Sequence, residues 1–336
     1  MSAWFYLLFF ITGATGLIIE TAFARQFQLV FGCTLSAISV VIAVFFGGIA
    51  LGAAWLGRYA DRYSPLRFYG VLEIVAGICA FVAVLLVPGI RSLYAGLFPM
   101  LGGSEGLQVL VQIVLAALLI LPCTVFMGAS LPALSRGLTL TMGDRFSRIS
   151  TLYGINTFGA AFGTLLCGFL LLEFLGYRLS VLFAFAINLC IGATAFALAR
   201  RLEKKTDAAA QAKRRDRDAQ QDEKTLAVAD ALPQSRNLSR FVLLMAGISG
   251  LAALGYEVVW FRILSFSVVT DAYAFALMLG VYLLGIGGGG LIAAWRFCRK
   301  EGTFLELGIM EIVLSLSAIV GFTLFMKYNP QIAQPD

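Results

Sequence analysis

Several stretches of this chain run for roughly 20 residues with scarcely a charge, and that limits its possible folds more than any other feature. A helix of about that length crosses the hydrocarbon core of a bilayer. Hydropathy marks about nine such segments, with approximate limits 4–24, 34–57, 68–88, 107–135, 149–174, 179–200, 240–264, 271–296 and 304–326. A transmembrane barrel would instead show short alternating strands, and these apolar blocks are continuous. Composition agrees: 60% of residues are hydrophobic and 13% charged, against about 45–50% and about 25% for a typical soluble domain. The expected fold class is all-α, a polytopic transmembrane helix bundle in contact with membrane lipids.

The charged residues set topology. No basic stretch precedes the first apolar run, which reads as a retained helix and not a signal peptide. Arg58, Arg62 and Arg67 follow the second helix, Arg136, Arg145 and Arg148 the fourth, and Arg296, Arg299 and Lys300 the eighth. The opposite loops carry little beyond Arg91 and Arg178. The positive-inside rule therefore places the N-terminus in the cytoplasm, and nine spans would put the tail 327–336 outside.

A net charge of +6 spread over loops points to topology, not to nucleic acid. The chain has no histidine, which removes His-based catalysis and His-type metal sites. Its six cysteines, Cys33, Cys79, Cys123, Cys167, Cys190 and Cys298, show no CxxC spacing, and five of them read as small thiols in or beside spans. No catalytic residue, metal site or cofactor is expected.

Between the sixth and seventh spans the composition changes. The stretch 201–239 mixes both charge signs and has few large apolar residues, so it reads as a flexible or loosely helical cytoplasmic linker. It divides the chain into a first six-helix bundle (1–200) and a partial second transmembrane repeat (240–326).

The two parts are related. Sliding the sequence by 237 positions aligns Gly13 with Gly250, Glu20 with Glu257 and Arg25 with Arg262. The same register aligns Ala37 with Ala274, Gly48-Ile49 with Gly285-Ile286, and Gly52 with Gly289. One inserted residue later "GVLEIV" (Gly70–Val75) matches "GIMEIV" (Gly308–Val313) and pairs Glu73 with Glu311. An even number of helices separates the copies, so they share one orientation. Parallel repeats joined by a charged cytoplasmic loop are the plan of major-facilitator transporters. The loop "GRYADRYSPLR" (Gly57–Arg67) resembles that superfamily's signature, although the second half has only about three helices and its loop "WRFCRKEG" lacks the aspartate.

A narrower resemblance rests on four stretches. They are the Glu20/Arg25 segment with "FFGGIALGAAWLGRYADR", Leu72-Glu73, "LPCTVFMGASLPALSR" (Leu121–Arg136) and "TLYGINTFGAAFGTLLCGFLL" (Thr151–Leu171). Together they resemble the membrane region of bacterial spermidine-synthase-like proteins, in which a facilitator-like domain precedes an aminopropyltransferase. The resemblance implies a bacterial inner membrane and polyamine-related biology. It does not supply the enzyme, because no strand–GxGxxG–helix unit is present, and "GIGGGG" (Gly285–Gly290) lies inside a span and reads as helix packing. Whether this chain is an enzyme stays open, with an aminopropyltransferase domain or another protein as the implied partner.

Glu20 and Glu257 are the main binding or coupling candidates. A carboxylate in hydrocarbon costs about 2.5–3.5 kcal/mol on insertion scales, so it faces a cavity or a partner. Arg25 is not that partner within the helix, since five residues leave the two side chains about 140° apart. The pair either lines a cavity for a cation, such as a polyamine or a proton, or locks the packing of two bundles. Arg25 and Arg262 accompany it, and Asn156 sits among Gly154, Gly159 and Gly163, where it bonds either a substrate or a neighbouring helix. Glu73 and Glu311 are expected to pair with nearby loop arginines. Asp61, Arg62 and Arg67 form a gating network or set topology, and Pro122 and Pro132 kink or end the fourth helix. The expected role is a membrane module that handles or transports a small cationic metabolite. The alternatives are an ordinary secondary transporter of unknown substrate and a non-transporting scaffold for an enzyme partner.

Overall fold

The computed structural model describes residues 2–32, 34–101, 103–139, 145–217, 236–268, 270–297 and 304–328. Among them every regular element is a helix, and nine segments are long and apolar enough to cross a membrane. The chain is an all-α, multi-pass membrane protein.

Helix α1 (Ser2–Phe31) turns at Gly32, whose φ of 97° suits glycine, into α2 (Leu35–Trp55). The Thr34 hydroxyl accepts from the Ala37 amide at 3.2 Å and caps α2. A short 3₁₀ turn (Gly57–Asp61) leads to α3 (Pro65–Leu97), which opens on a proline where a missing N–H costs nothing. α3 does not stop near residue 88, as hydropathy suggests, but runs through Pro88 to Leu97. A single proline removes one helical bond, and the rest of the ladder stays intact in hydrocarbon.

The expected fourth helix is broken in two: α4 (Glu105–Gly128) and α5 (Ser130–Thr139) meet at Ala129. Pro122 lies inside α4 without ending it. The break falls at Gly128, four residues before Pro132, whose ring would clash with that carbonyl in a continuous helix. The fifth span contains α6 (Arg145–Leu166), a wide π turn (Cys167–Leu171) and the one-turn α7 (Leu172–Phe174). Gly176, at φ 69°, then reverses the chain into α8 (Gly176–Arg217). α8 carries helix well into the charged segment, so the first part of the linker is ordered helix, and 218–235 lie outside the described residues. The last elements are α9 (Arg236–Ser265), α10 (Asp271–Phe297) and α11 (Phe304–Tyr328). The loop 298–303 and residues 329–336 also lie outside the description.

In lipid, helices gain little from hiding apolar surface, so close van der Waals packing through small residues decides their neighbours. α1 lies on α6, where a methyl group on Gly159 would run into the Phe10 backbone and one on Gly163 into that of Ala14. α2 lies on α4 through Gly48, Gly52 and Gly128, and α3 on α8 through Gly70 and Gly192. The buried core between these pairs is built from side chains such as Ile18, Phe23, Phe27, Phe45 and Ile120, with a second cluster around Phe9, Tyr69, Leu134 and Leu152.

α6 also packs on α10, which ties the second part of the chain to the first. The "GIGGGG" run serves this contact on one side only. A methyl on Gly287 would stand 3.2 Å from Phe158 and 3.3 Å from the Gly154 carbonyl, whereas Gly285, Gly288 and Gly289 face open space. α9 rests on α10 and is little buried, and α11 has no buried residue in its span. α11 meets α9 where the Trp260 and Phe325 rings touch edge-on, 6.3 Å between centroids.

Candidate functional site

α1 positions Glu20 through its contact with α6. Gly13 sits against Asn156, and Glu20, seven residues on, lies within about 20° of the same helix face. Its neighbours Ile18, Ile19, Ala22 and Phe23 are all buried, and Glu20 itself is 1% exposed. Glu257 occupies the corresponding place on α9 and is also 1% exposed. The two carboxyl groups lie within electrostatic reach of each other. Among the described residues neither Glu20 oxygen has a hydrogen-bond partner, and Oε1 of Glu257 and the buried Thr21 hydroxyl have none either.

A buried carboxylate normally takes hydrogen bonds or a cation to offset its lost hydration. Among the described residues neither Arg25 nor Arg262 forms an ion pair with either glutamate. The Arg25 guanidinium instead reaches Gln28 at 3.5 Å, beside Thr21, Leu172, Ala272 and Phe275. Arg262 is exposed and lies 4.6 Å from the Phe266 ring centre. The helical-angle argument against a Glu20–Arg25 pair thus matches the arrangement seen.

Two features near the glutamates have no counterpart in the sequence reading. The π turn touches α1 at this level, with the Cys167 thiol 3.5 Å from the Ile18 carbonyl. Such wide turns free a helix from regular packing and often mark functional positions. In addition, Tyr282 on α10 lies within electrostatic reach of both Glu257 and Tyr153 on α6. Neither a lone cysteine nor scattered tyrosines in apolar spans would have singled these out.

The other glutamates behave differently. Among the described residues Glu73, 3% exposed, accepts a hydrogen bond from the Ser130 hydroxyl at 2.9 Å. The Thr12 hydroxyl, which shares a hydrogen bond with Tyr69, also stands beside it. Ser130 opens α5 directly after the break at Ala129, inside the span 107–135 expected as one helix. In the second half Ser249 donates to Glu311 at 2.8 Å. The repeat register that pairs Glu20 with Glu257 also pairs Thr12 with Ser249, so the hydroxyl–glutamate contact occurs in both halves.

Asn156 donates from Nδ2 to the Phe9 carbonyl at 2.9 Å, a bond across the α1–α6 contact. Arg67 forms an ion pair with Glu203 near the far end of the α8 span, joining α3 to α8. Arg62 is exposed, 5.6 Å from the Tyr59 ring centre. The Asp61, Arg145 and Arg148 side chains lie outside the described residues. No group of three or more metal-ligating side chains occurs among the described residues. Compared with known proteins, the chain matches no family model, no curated sequence and no solved structure.

Proposed function

We propose that this chain is the membrane module of a polyamine-handling, spermidine-synthase-like system and that it binds a small cation between Glu20 and Glu257. One observation carries the proposal: two buried carboxyl groups from repeat-related helices lie within electrostatic reach of each other, and among the described residues at least three of their four oxygens have no hydrogen-bond partner. Two such groups without a counter-charge are costly in hydrocarbon, and a bound cation, a proton included, removes that cost.

The hydroxyl-bonded Glu73 supports the distinction. This chain satisfies a purely structural buried glutamate with local donors, as at Ser130, and leaves Glu20 without any. The proposed setting is a bacterial inner membrane with the N-terminus cytoplasmic, resting on the loop arginines and the resemblance described above. A facilitator-like mechanism would use the α6–α10 contact as the joint between halves.

The test is uptake of radiolabelled spermidine into proteoliposomes containing the protein. Flux that disappears in Glu20→Gln and Glu257→Gln, with folding intact, supports the assignment. Undiminished flux in both variants rules out the carboxylate site, and no flux in the parent favours a scaffold that binds without transporting.

A further inference from the structure

Tyr282 and Glu257 are aimed at each other by helix geometry. α9 and α10 are consecutive spans that run antiparallel, and their register is set where the Phe261 and Phe275 rings meet edge-on, 5.9 Å between centroids. Glu257 lies four residues from Phe261 on α9, and Tyr282 seven residues from Phe275 on α10. Both offsets keep a residue within about 40° of its anchor's helix face. Measured away from the α9–α10 connection, Glu257 lies about 6 Å and Tyr282 about 10.5 Å beyond the anchor pair. Helical side chains lean toward their own N-terminus. Glu257 therefore leans away from the connection and Tyr282 back toward it, so the two converge, in keeping with the electrostatic reach between them. Tyr282 is half-buried.

The first half carries a ring at the corresponding place. The register that pairs Glu20 with Glu257 also pairs Phe45 on α2 with Tyr282. Phe45 is fully buried in the cluster that holds Ile18 and Ile19, the residues just before Glu20, and α2 touches α9. One aromatic beside one glutamate would be ordinary packing. Here rings occupy both repeat-related places, beside carboxyl oxygens that lack donors among the described residues. A phenyl ring offers a carboxylate no hydrogen bond, so Phe45 does nothing to satisfy Glu20. Ring faces do attract an ammonium group, as carboxylates do, and most strongly where water is excluded.

We infer that Phe45 and Tyr282 are two walls of the cation site, holding the ammonium group and its methylene stem while Glu20 and Glu257 accept from its N–H groups. The inference rests on the cation site proposed above and narrows its occupant to an alkyl ammonium, as opposed to a bare inorganic cation. A sodium ion has neither N–H groups to direct at the carboxyl oxygens nor a carbon chain to lay against the rings.

The test is equilibrium dialysis of radiolabelled spermidine against the purified protein in detergent. Tyr282→Leu keeps apolar bulk and removes the ring, and should raise the Kd about tenfold or more, whereas Tyr282→Phe keeps the ring and should stay within about threefold of the parent. Phe45→Leu should weaken binding in the same sense. Phe46→Leu is the control, because the repeat already has a leucine, Leu283, at that place, and it should bind as the parent does. Unlabelled putrescine is expected to displace the label, and sodium at the same concentration to leave it bound. Thermal unfolding midpoints of the Tyr282 variants are expected to match the parent. Absence of spermidine binding in the parent would refute the cation site and this inference with it. Parent-like binding by Tyr282→Leu and Phe45→Leu would leave the site standing and overturn the role of the rings alone. Equal losses in Tyr282→Phe and Tyr282→Leu would assign the contact to the hydroxyl and overturn it too, as would displacement by sodium or a loss in Phe46→Leu as large as in Phe45→Leu. A lowered unfolding midpoint in Tyr282→Leu would make the ring a packing element and equally overturn the inference.

Discussion

Replacing Gly159 by alanine tests how Glu20 is held in place. The added methyl carbon would stand 2.7 Å from the Phe10 carbonyl carbon and 3.0 Å from its Cα, and closer still to the carbonyl oxygen. Ordinary carbon contacts begin at about 3.5 Å, so α1 and α6 must separate by at least about 0.8 Å. The obstacle is helix backbone on both sides, which cannot rotate away as a side chain could. Overpacking of this kind costs about 1–3 kcal/mol, and the rigid geometry places Gly159→Ala toward the upper end. The shift also carries Glu20 relative to α9. The buried thiols Cys123 and Cys167 report unfolding, since a fluorogenic maleimide reaches them only when the bundle opens. Gly96→Ala on α3 is the counterpart, because its methyl meets nothing within 4 Å and alanine is favoured over glycine in a helix by about 0.5–1 kcal/mol. The expected result is a lowered labelling midpoint for Gly159→Ala and an unchanged or raised one for Gly96→Ala. If both variants move together, close backbone contact does not set the α1–α6 pairing.

Further predictions use the same assay. Ser130→Ala removes a hydrogen bond to a buried carboxyl, worth about 1.5–3 kcal/mol, and should lower the midpoint; no change would remove Ser130 as the group that holds Glu73. Arg67→Ala breaks an ion pair whose side chains are 51% and 41% exposed, so its effect should stay within about 0–1 kcal/mol. A loss as large as that of Ser130→Ala would show that this pair latches the bundle. Gln112 donates to the Tyr94 hydroxyl at 3.0 Å in a buried setting. Tyr94→Phe alone strands that donor and should destabilise more than the double variant Tyr94→Phe/Gln112→Leu, because paired removal leaves no unsatisfied group. Additive losses would contradict this.

Hydropathy located the nine spans found among the described residues because apolar length is a property of composition, needing no tertiary information. What it missed were interruptions that depend on geometry. Pro132 was visible, but not that the chain would break at Ala129 and fold Ser130 onto Glu73. The π turn at Cys167–Leu171 leaves no trace in the apolar pattern, since a wide turn and a regular one take the same residue types. α8 runs on to Arg217 because the charged residues and alanines of this stretch are good helix formers. At the site, the repeat singled out Glu20 and Glu257 as a pair, and helix angles separated Glu20 from Arg25. The electrostatic reach between them, and the lack of hydrogen-bond partners among the described residues, depend on three-dimensional packing that spacing along one helix cannot express. Glu73 was set apart in sequence by its nearness to loop arginines, whereas the donor found beside it, Ser130, comes from another helix and is invisible to spacing.

The central claim is that Glu20 and Glu257 together hold a cation. A hydrophobic carbodiimide attacks protonated carboxyl groups within membranes, and mass spectrometry reads the modified residue. The account predicts modification at Glu20 or Glu257 and little at the hydroxyl-bonded Glu73, with the reaction at the pair slowed by added spermidine. Modification of the pair at a rate that spermidine leaves unchanged, or preferential modification of Glu73, would contradict it.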